Sequence, residues 1–279
     1  LNNKSANELY RRPASNLITA SAAMKPIKYS PYRSTRSFNS RVRFLVFHYT
    51  AANFSSSVSA LTGPNVSAHY LVPDITDPSY LNAGYTGQEV FNLVEETHRA
   101  WHAGVSQWGN RSNLNDTSIG IEIVNLATDN KGEFTFPPYH PEQIAAIEQL
   151  ALNILKRYPD ITPTQVLGHS DVSIGRKSDP GPMFPWHALY LKGVGAWFDA
   201  STRDKYLCQY KASGVPTRSE LLGLFKTYGY DVSGASTEGG FQQLVRAFQM
   251  HFRPENYDGL IDAQTAANLK ALVVRYFPG

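Results

Sequence analysis

Apolar residues in this chain fall into two periods, and the changeover between them divides it. The unbroken run Phe44-Leu45-Val46-Phe47, inside Arg41 to Thr50, is too short for a helix and reads as an internal strand buried on both faces of a sheet. His48, Tyr49 and Thr50 follow where that strand should emerge, so a ligand there would be rigidly held yet able to reach a cleft. Val66 to Val72 and Glu89 to Glu95 read as two more strands, and Phe54 to Leu61 as a short helix stopped by Gly63-Pro64. Thr117 to Val124 alternates, with Ile119, Ile121 and Ile123 set against Ser118, Gly120 and Glu122. A period of two predicts one buried face, with Glu122 on the exposed one.

Past residue 140 helical spacing takes over. Ile144, Ile147, Ala151, Ile154 and Leu155 form a stripe, Pro141 suits a first turn, Glu142 favours the N-terminal dipole, and the helix ends before Pro159. Gln165 to Leu167 predicts a short strand running into Gly168-His169-Ser170-Asp171. A Pro/Gly-rich loop carrying Lys177 and Asp179 follows, then a short helix over Trp186 to Leu191. Three further stripes end the chain: Leu221, Leu222, Phe225 and Tyr228 behind a Thr217/Glu220 capping box and before Gly229; Phe241, Leu244, Val245 and Phe248; and Leu269, Leu272, Val273 and Tyr276. The expected architecture is α/β, a mixed central β-sheet flanked by helices over 41–200, a linker over 201–216 and a small three-helix bundle over 217–279. Residues 1–40 are polar and proline-punctuated, an irregular surface arm tied down by Tyr29, Tyr32 and Phe38.

Composition changes this picture little. A chain of 279 residues with 42% hydrophobic content can bury one good core and a small second one. No run approaches the roughly 18 apolar residues of a membrane span. The net charge of +3 is spread out, without the basic block that tracks a phosphate backbone, so nucleic acid is not an expected partner. Cys208 is the single cysteine and has no partner for a disulfide or a thiolate metal site. The chain opens on Leu1, which leaves room for a removed N-terminus and, with it, a lipid anchor.

The candidate chemistry lies in His48, His169 and Asp179, each expected at a strand end or in a stiff loop. Two imidazoles and a carboxylate leave one tetrahedral zinc position open, the catalytic arrangement rather than the closed structural one. Their wide spacing is also compatible with hydrogen-bonded core histidines. His69 and Tyr70 read as structural, and His98, His140, His187 and His251 as incidental.

Six ordered segments narrow the choice: Phe-His-Tyr-Thr at 47–50, Ser-Ala-His-Tyr-Leu-Val at 67–72, Trp-His-Ala-Gly at 101–104, Ser-Ile-Gly-Ile-Glu at 118–122, Gly-His-Ser-Asp at 168–171 and Lys-Ser-Asp-Pro-Gly at 177–181. Over roughly residues 41–190 the chain resembles the zinc-dependent N-acetylmuramoyl-L-alanine amidases of the amidase-2 type, relatives of peptidoglycan-recognition proteins. The tail, with Val-Arg-Ala-Phe-Gln at 245–249 and Asp-Gly-Leu-Ile-Asp-Ala-Gln-Thr at 258–265, resembles a peptidoglycan-binding domain. The resemblance implies Zn2+ on His48, His169 and Asp179, Glu122 as the base, and Lys177 stabilising the oxyanion. Trp101, His102 and Asn115 would contact substrate. Peptidoglycan and muropeptides would be the partners, and the two-part layout resembles periplasmic or outer-membrane amidases of Gram-negative bacteria. A non-catalytic peptidoglycan receptor on the same scaffold is the competing expectation. Such receptors typically lack the third ligand, and Asp179 is present here. A purely structural wall anchor would leave this polar constellation without a purpose.

Overall fold

In the computed structural model, which describes residue 28 and residues 32–279, the first strand β1 (Phe44–Tyr49) falls where the apolar run predicts it. Its alternation divides it between two cores. Leu45 and Phe47 join Ile119, Ile121, Ile147 and Trp186, whereas Phe44 and Val46 join Trp108, Leu167 and the C-terminal helices. Along the chain follow α1 (Phe54–Leu61), β2 (Tyr70–Val72), α2 (Pro78–Asn82), β3 (Phe91–Asn92), the small hairpin β4–β5 (Gln107–Trp108 and Arg111–Ser112) and β6 (Ser118–Ile123). The strands expected over 66–72 and 89–95 shrink to three and two residues. Ahead of Tyr70 side chains supplement the main-chain bonding: Ser67 Oγ accepts from the Trp101 N–H and His69 Nδ1 from the Gly120 N–H, while the His69 N–H donates to the Gly120 carbonyl.

Next come the hairpin β7–β8 (Thr128–Asn130 and Glu133–Thr135), α3 (Pro141–Arg157), β9 (Val166–Gly168), the single turn α4 (His169–Val172) and α5 (Trp186–Leu191). The principal sheet runs β3-β2-β6-β1-β9, with β2, β6, β1 and β9 parallel and β3 antiparallel at one edge, a mixed sheet as expected. Helix α3 covers one face through Ile147, Ala151 and Ile154. Parallel pairing brings the C-terminal ends of β6, β1 and β9 to one edge, where ligands of open parallel sheets bind.

Four helices complete the chain: α6 (Ala200–Ser213), α7 (Arg218–Tyr228), α8 (Glu238–Phe252) and α9 (Ala263–Tyr276). The last three are the predicted bundle, but the expected linker over 201–216 is mostly helix. Asp199 caps α6 by accepting from the Thr202 N–H, Gly214 ends it at φ 88°, and it packs along α9. Only Tyr210 of α6 is buried, so no apolar stripe announces it. Residues Asn39–Gly279 form one compact unit. The predicted arm over 1–40 lies largely outside the described residues, and Tyr32 and Phe38, expected to tie it down, are exposed. Among the described residues no helix is long and apolar enough to cross a membrane.

Candidate metal centre

Strand register assembles the site. His48 on β1 is the direct neighbour of Glu122 on β6, and Phe47 is the neighbour of Gly168 on β9, so His169 follows at the same edge. Asp179 comes from the loop after α4, anchored where its carbonyl accepts from the Ser170 N–H at 2.8 Å. Gly168 admits this loop, because a Cβ there would stand 2.7 Å from Cδ of Pro180. His48 Nδ1 and His169 Nδ1 lie 3.0 Å apart, and Asp179 Oδ2 is 2.9 Å from the first and 3.0 Å from the second. All three residues are buried and can hold a metal ion.

Hydrogen bonding decides which nitrogen of each imidazole carries the proton. His169 Nε2 sits 2.9 Å from the Ala103 carbonyl, which can only accept, so Nε2 donates and Nδ1 keeps its lone pair. For His48 the constraint arrives through two other side chains. The Ser118 hydroxyl donates to the Leu114 carbonyl at 2.6 Å and therefore accepts from His102 Nε2 at 2.9 Å. His102 Nδ1 in turn accepts from His48 Nε2 at 2.9 Å, which leaves His48 Nδ1 unprotonated as well. Burial, then the neighbouring His169, lowers the His48 pKa to about 4, so the ring is neutral at pH 7. Two imidazole lone pairs and a carboxylate oxygen thus converge with no proton between them, an arrangement that a divalent cation relieves.

Glu122 stands beside this cluster. Its Oε1 lies 4.0 Å from His48 Nδ1, and its Oε2 is buried without a partner. Burial, reinforced by Asp179 and opposed by Lys177, pushes its pKa well above the usual carboxylate value. The predicted exposed face of β6 is therefore corrected: Glu122 keeps only 14% of its side chain in solvent. The face of Ser118, Gly120 and Glu122 is covered by His102, whose ring passes so close to Gly120 that a Cβ there would come within 2.4 Å of it.

Glu122, His169 and Asp179 open onto a cleft of about 410 Å³ that is also lined by Trp101, His102 and Lys177. Trp101 is half exposed, as a wall for ligand would be. Asn115, expected to touch substrate, is instead buried beneath the cleft, where Oδ1 accepts from the N–H groups of His102 and Ala103 and shapes the loop. His69 is structural as expected: Nδ1 accepts from the Gly120 N–H, and Nε2 donates to the His98 carbonyl.

Three further residues fall outside the sequence expectation. Arg176 lines the cleft and donates to the carbonyls of Ala103 and Val105, bracing the segment that accepts from His169. Its place next to Lys177 in the motif was the available signal. His140, expected to be incidental, caps α3 by accepting from the Glu142 N–H. His251, likewise expected to be incidental, is buried, and its Nδ1 donates to Asp171 Oδ2 at 2.7 Å. A helical stripe predicts its burial but not its partner.

Comparison with known proteins matches residues 38–182 to the family described as N-acetylmuramoyl-L-alanine amidase. The N-acetylmuramoyl-L-alanine amidase AmiD of Escherichia coli is 43% identical over 238 residues, covering 85% of this chain and 84% of that one. AmpDH3 of Pseudomonas aeruginosa, solved in complex with anhydromuramic pentapeptide, superposes with a TM-score of 0.89 at 58% identity, covering 91% of this chain and 99% of the other. AmiD of E. coli, solved with the substrate anhydro-N-acetylmuramic acid-L-Ala-D-gamma-Glu-L-Lys, gives 0.78 at 42% identity, covering 88% and 93%.

Proposed function

The chain belongs to the N-acetylmuramoyl-L-alanine amidases and is an enzyme of that class, and from that premise we propose that it is a zinc hydrolase. It cuts the amide between the lactyl group of N-acetylmuramic acid, or its anhydro form, and L-alanine of the stem peptide. One observation carries the reading: Nδ1 of His48, Nδ1 of His169 and Oδ2 of Asp179 converge as bare acceptors beside the unpartnered carboxylate of Glu122.

His48, His169 and Asp179 would hold the metal. Bound there, Zn2+ supplies Lewis acidity, polarising the scissile carbonyl and lowering the pKa of water in the site toward about 7. Glu122, with a raised pKa and a free oxygen, takes the proton of the attacking water and returns it to the departing amine of L-alanine. Lys177 reaches the same cleft and donates to the carbonyl oxygen as it gains negative charge. Trp101 and His102 form the wall against which the muropeptide lies.

The two long structural matches, both of proteins solved with anhydromuramyl peptides, support muropeptides as the substrate class. The resemblance of the tail supports contact with insoluble wall, and the same two-part layout supports a periplasmic site, with or without an outer-membrane anchor. The decisive experiment follows free stem peptide released from purified muropeptide, with chelator and after Zn2+ is restored. Chelation should abolish release and zinc restore it. His48→Ala should lose both metal and turnover. Glu122→Ala should keep metal and muropeptide binding while losing about 10²- to 10⁴-fold in rate. Binding without any release by the wild-type protein would instead establish a receptor.

A further inference from the structure

The turn α4 that begins with the metal ligand His169 packs against the C-terminal helix α8. Asp171, two residues further along α4, is fully buried, and its carboxylate accepts three hydrogen bonds. One is local: the Gly168 N–H donates to Oδ2 at 2.8 Å and closes the turn that carries His169. The other two come from far along the chain. The Tyr230 hydroxyl donates to Oδ1 at 2.7 Å, and His251 Nδ1 donates to Oδ2 at 2.7 Å. Tyr230 follows α7, and His251 lies on α8 with its ring stacked on Trp186 at a centroid distance of 3.7 Å. Both donors are buried, so water does not replace them if they are lost.

A buried carboxylate stays in place only when its oxygens are satisfied, because an unpaired charge removed from water is strongly disfavoured. Without Tyr230 and His251, Asp171 would swing toward solvent and release the Gly168 N–H. The turn that aims His169 at Asp179 would then loosen. We propose that Tyr230 and His251 are positioning residues for the metal ligand, so that the C-terminal helices complete the metal centre besides any contact they make with wall. This rests on the reading of His48, His169 and Asp179 as a zinc site.

The test measures Zn2+ affinity by competition with a chelating dye, and the visible spectrum of the Co2+-substituted protein, on full-length variants whose unfolding temperatures are recorded in parallel. Tyr230→Phe and His251→Leu should each weaken Zn2+ binding by about 10- to 100-fold and alter the Co2+ bands, the usual consequence of losing a group that orients a ligand. His251→Asn, whose amide can still donate to Asp171, should recover most of that affinity. Val245→Ala, in the same buried cluster without a polar link to Asp171, should lower the unfolding temperature and leave affinity and spectrum alone. If Tyr230→Phe and His251→Leu behave like Val245→Ala, the positioning role is wrong. If the wild-type protein itself fails to bind Zn2+, the zinc reading falls first and takes this proposal with it.

Discussion

Gly120 shows how one missing side chain makes the site possible. His102 lies against it and passes a hydrogen-bond constraint from the Leu114 carbonyl, through Ser118, to His48. A Cβ at 120 would come 2.4 Å from the ring, too close for any contact, and the neighbouring strands leave the backbone no room to shift. Gly120→Ala should therefore displace His102, cost about 1–3 kcal/mol in stability through overpacking, and weaken metal binding about tenfold by freeing the His48 tautomer. Equilibrium unfolding and a metal-competition titration check the two effects separately. Unchanged metal affinity in a destabilised variant would show that His102 packs without orienting His48. The Ser-Ile-Gly-Ile-Glu motif is visible in the sequence, but the reason for its glycine is not. That reason is a ring from a loop some eighteen residues earlier, and nothing in local spacing announces it.

Among the elements, the short strand β2 and the C-terminus of α3 are joined by one carboxylate. Glu96 accepts from the hydroxyls of Tyr70 and Tyr158 and from the Arg157 guanidinium. Burial by itself would raise the Glu96 pKa, but these donors outweigh it and bring it down to about 2. A carboxyl depressed in the folded state adds stability above its unfolded pKa near 4.5 and loses it as pH falls toward 2. Glu96→Gln should thus be less stable than wild type by about 1–2 kcal/mol at pH 7, allowing for the partly exposed guanidinium. The gap should narrow between pH 4.5 and 2, as followed by thermal unfolding across that range. A gap independent of pH would place the effect in packing. Elements whose pattern is strong, such as α3 and α5, have the boundaries the sequence predicts. Those missed lack a pattern: α6 is polar nearly all round, and β7–β8 is a six-residue ribbon turning at Lys131 and Gly132, both at positive φ.

For the molecule as a whole, the cores matter more than the order of segments. Phe44, Val46, Leu167 and Trp108 lie in one buried cluster with Phe225, Tyr228, Leu244, Phe248 and Leu272. Trp108 packs edge-on against Tyr230, and the Gly109 N–H donates to the Gly229 carbonyl. The tail's resemblance to a peptidoglycan-binding domain implies that deleting everything beyond about residue 215 would weaken wall attachment more than muropeptide hydrolysis. The shared core reverses that expectation. Each large apolar side chain uncovered costs roughly 1.5–3 kcal/mol, and several would be uncovered together, against a total stability of about 5–15 kcal/mol for ordinary domains. The truncated chain should be aggregation-prone and lose cooperative unfolding and muropeptide hydrolysis together, which calorimetry and a peptide-release assay would detect. A well-folded, active fragment ending near 215 would mean that the two halves are independent after all.

The sequence by itself determined the sheet class, the long helix and the three late helices, and its resemblance to a family pointed to His48, His169 and Asp179 as residues that meet, because periodicity and short ordered motifs are local and survive in one dimension. Tertiary structure alone decided that Glu122 is largely shielded from solvent, that Asn115 supports the loop carrying His102, that 201–216 is mostly helical, and that Asp171 meets Tyr230 and His251. Each of these depends on residues brought together from distant parts of the chain, and burial and hydrogen-bond partnership are properties of that meeting rather than of either residue alone.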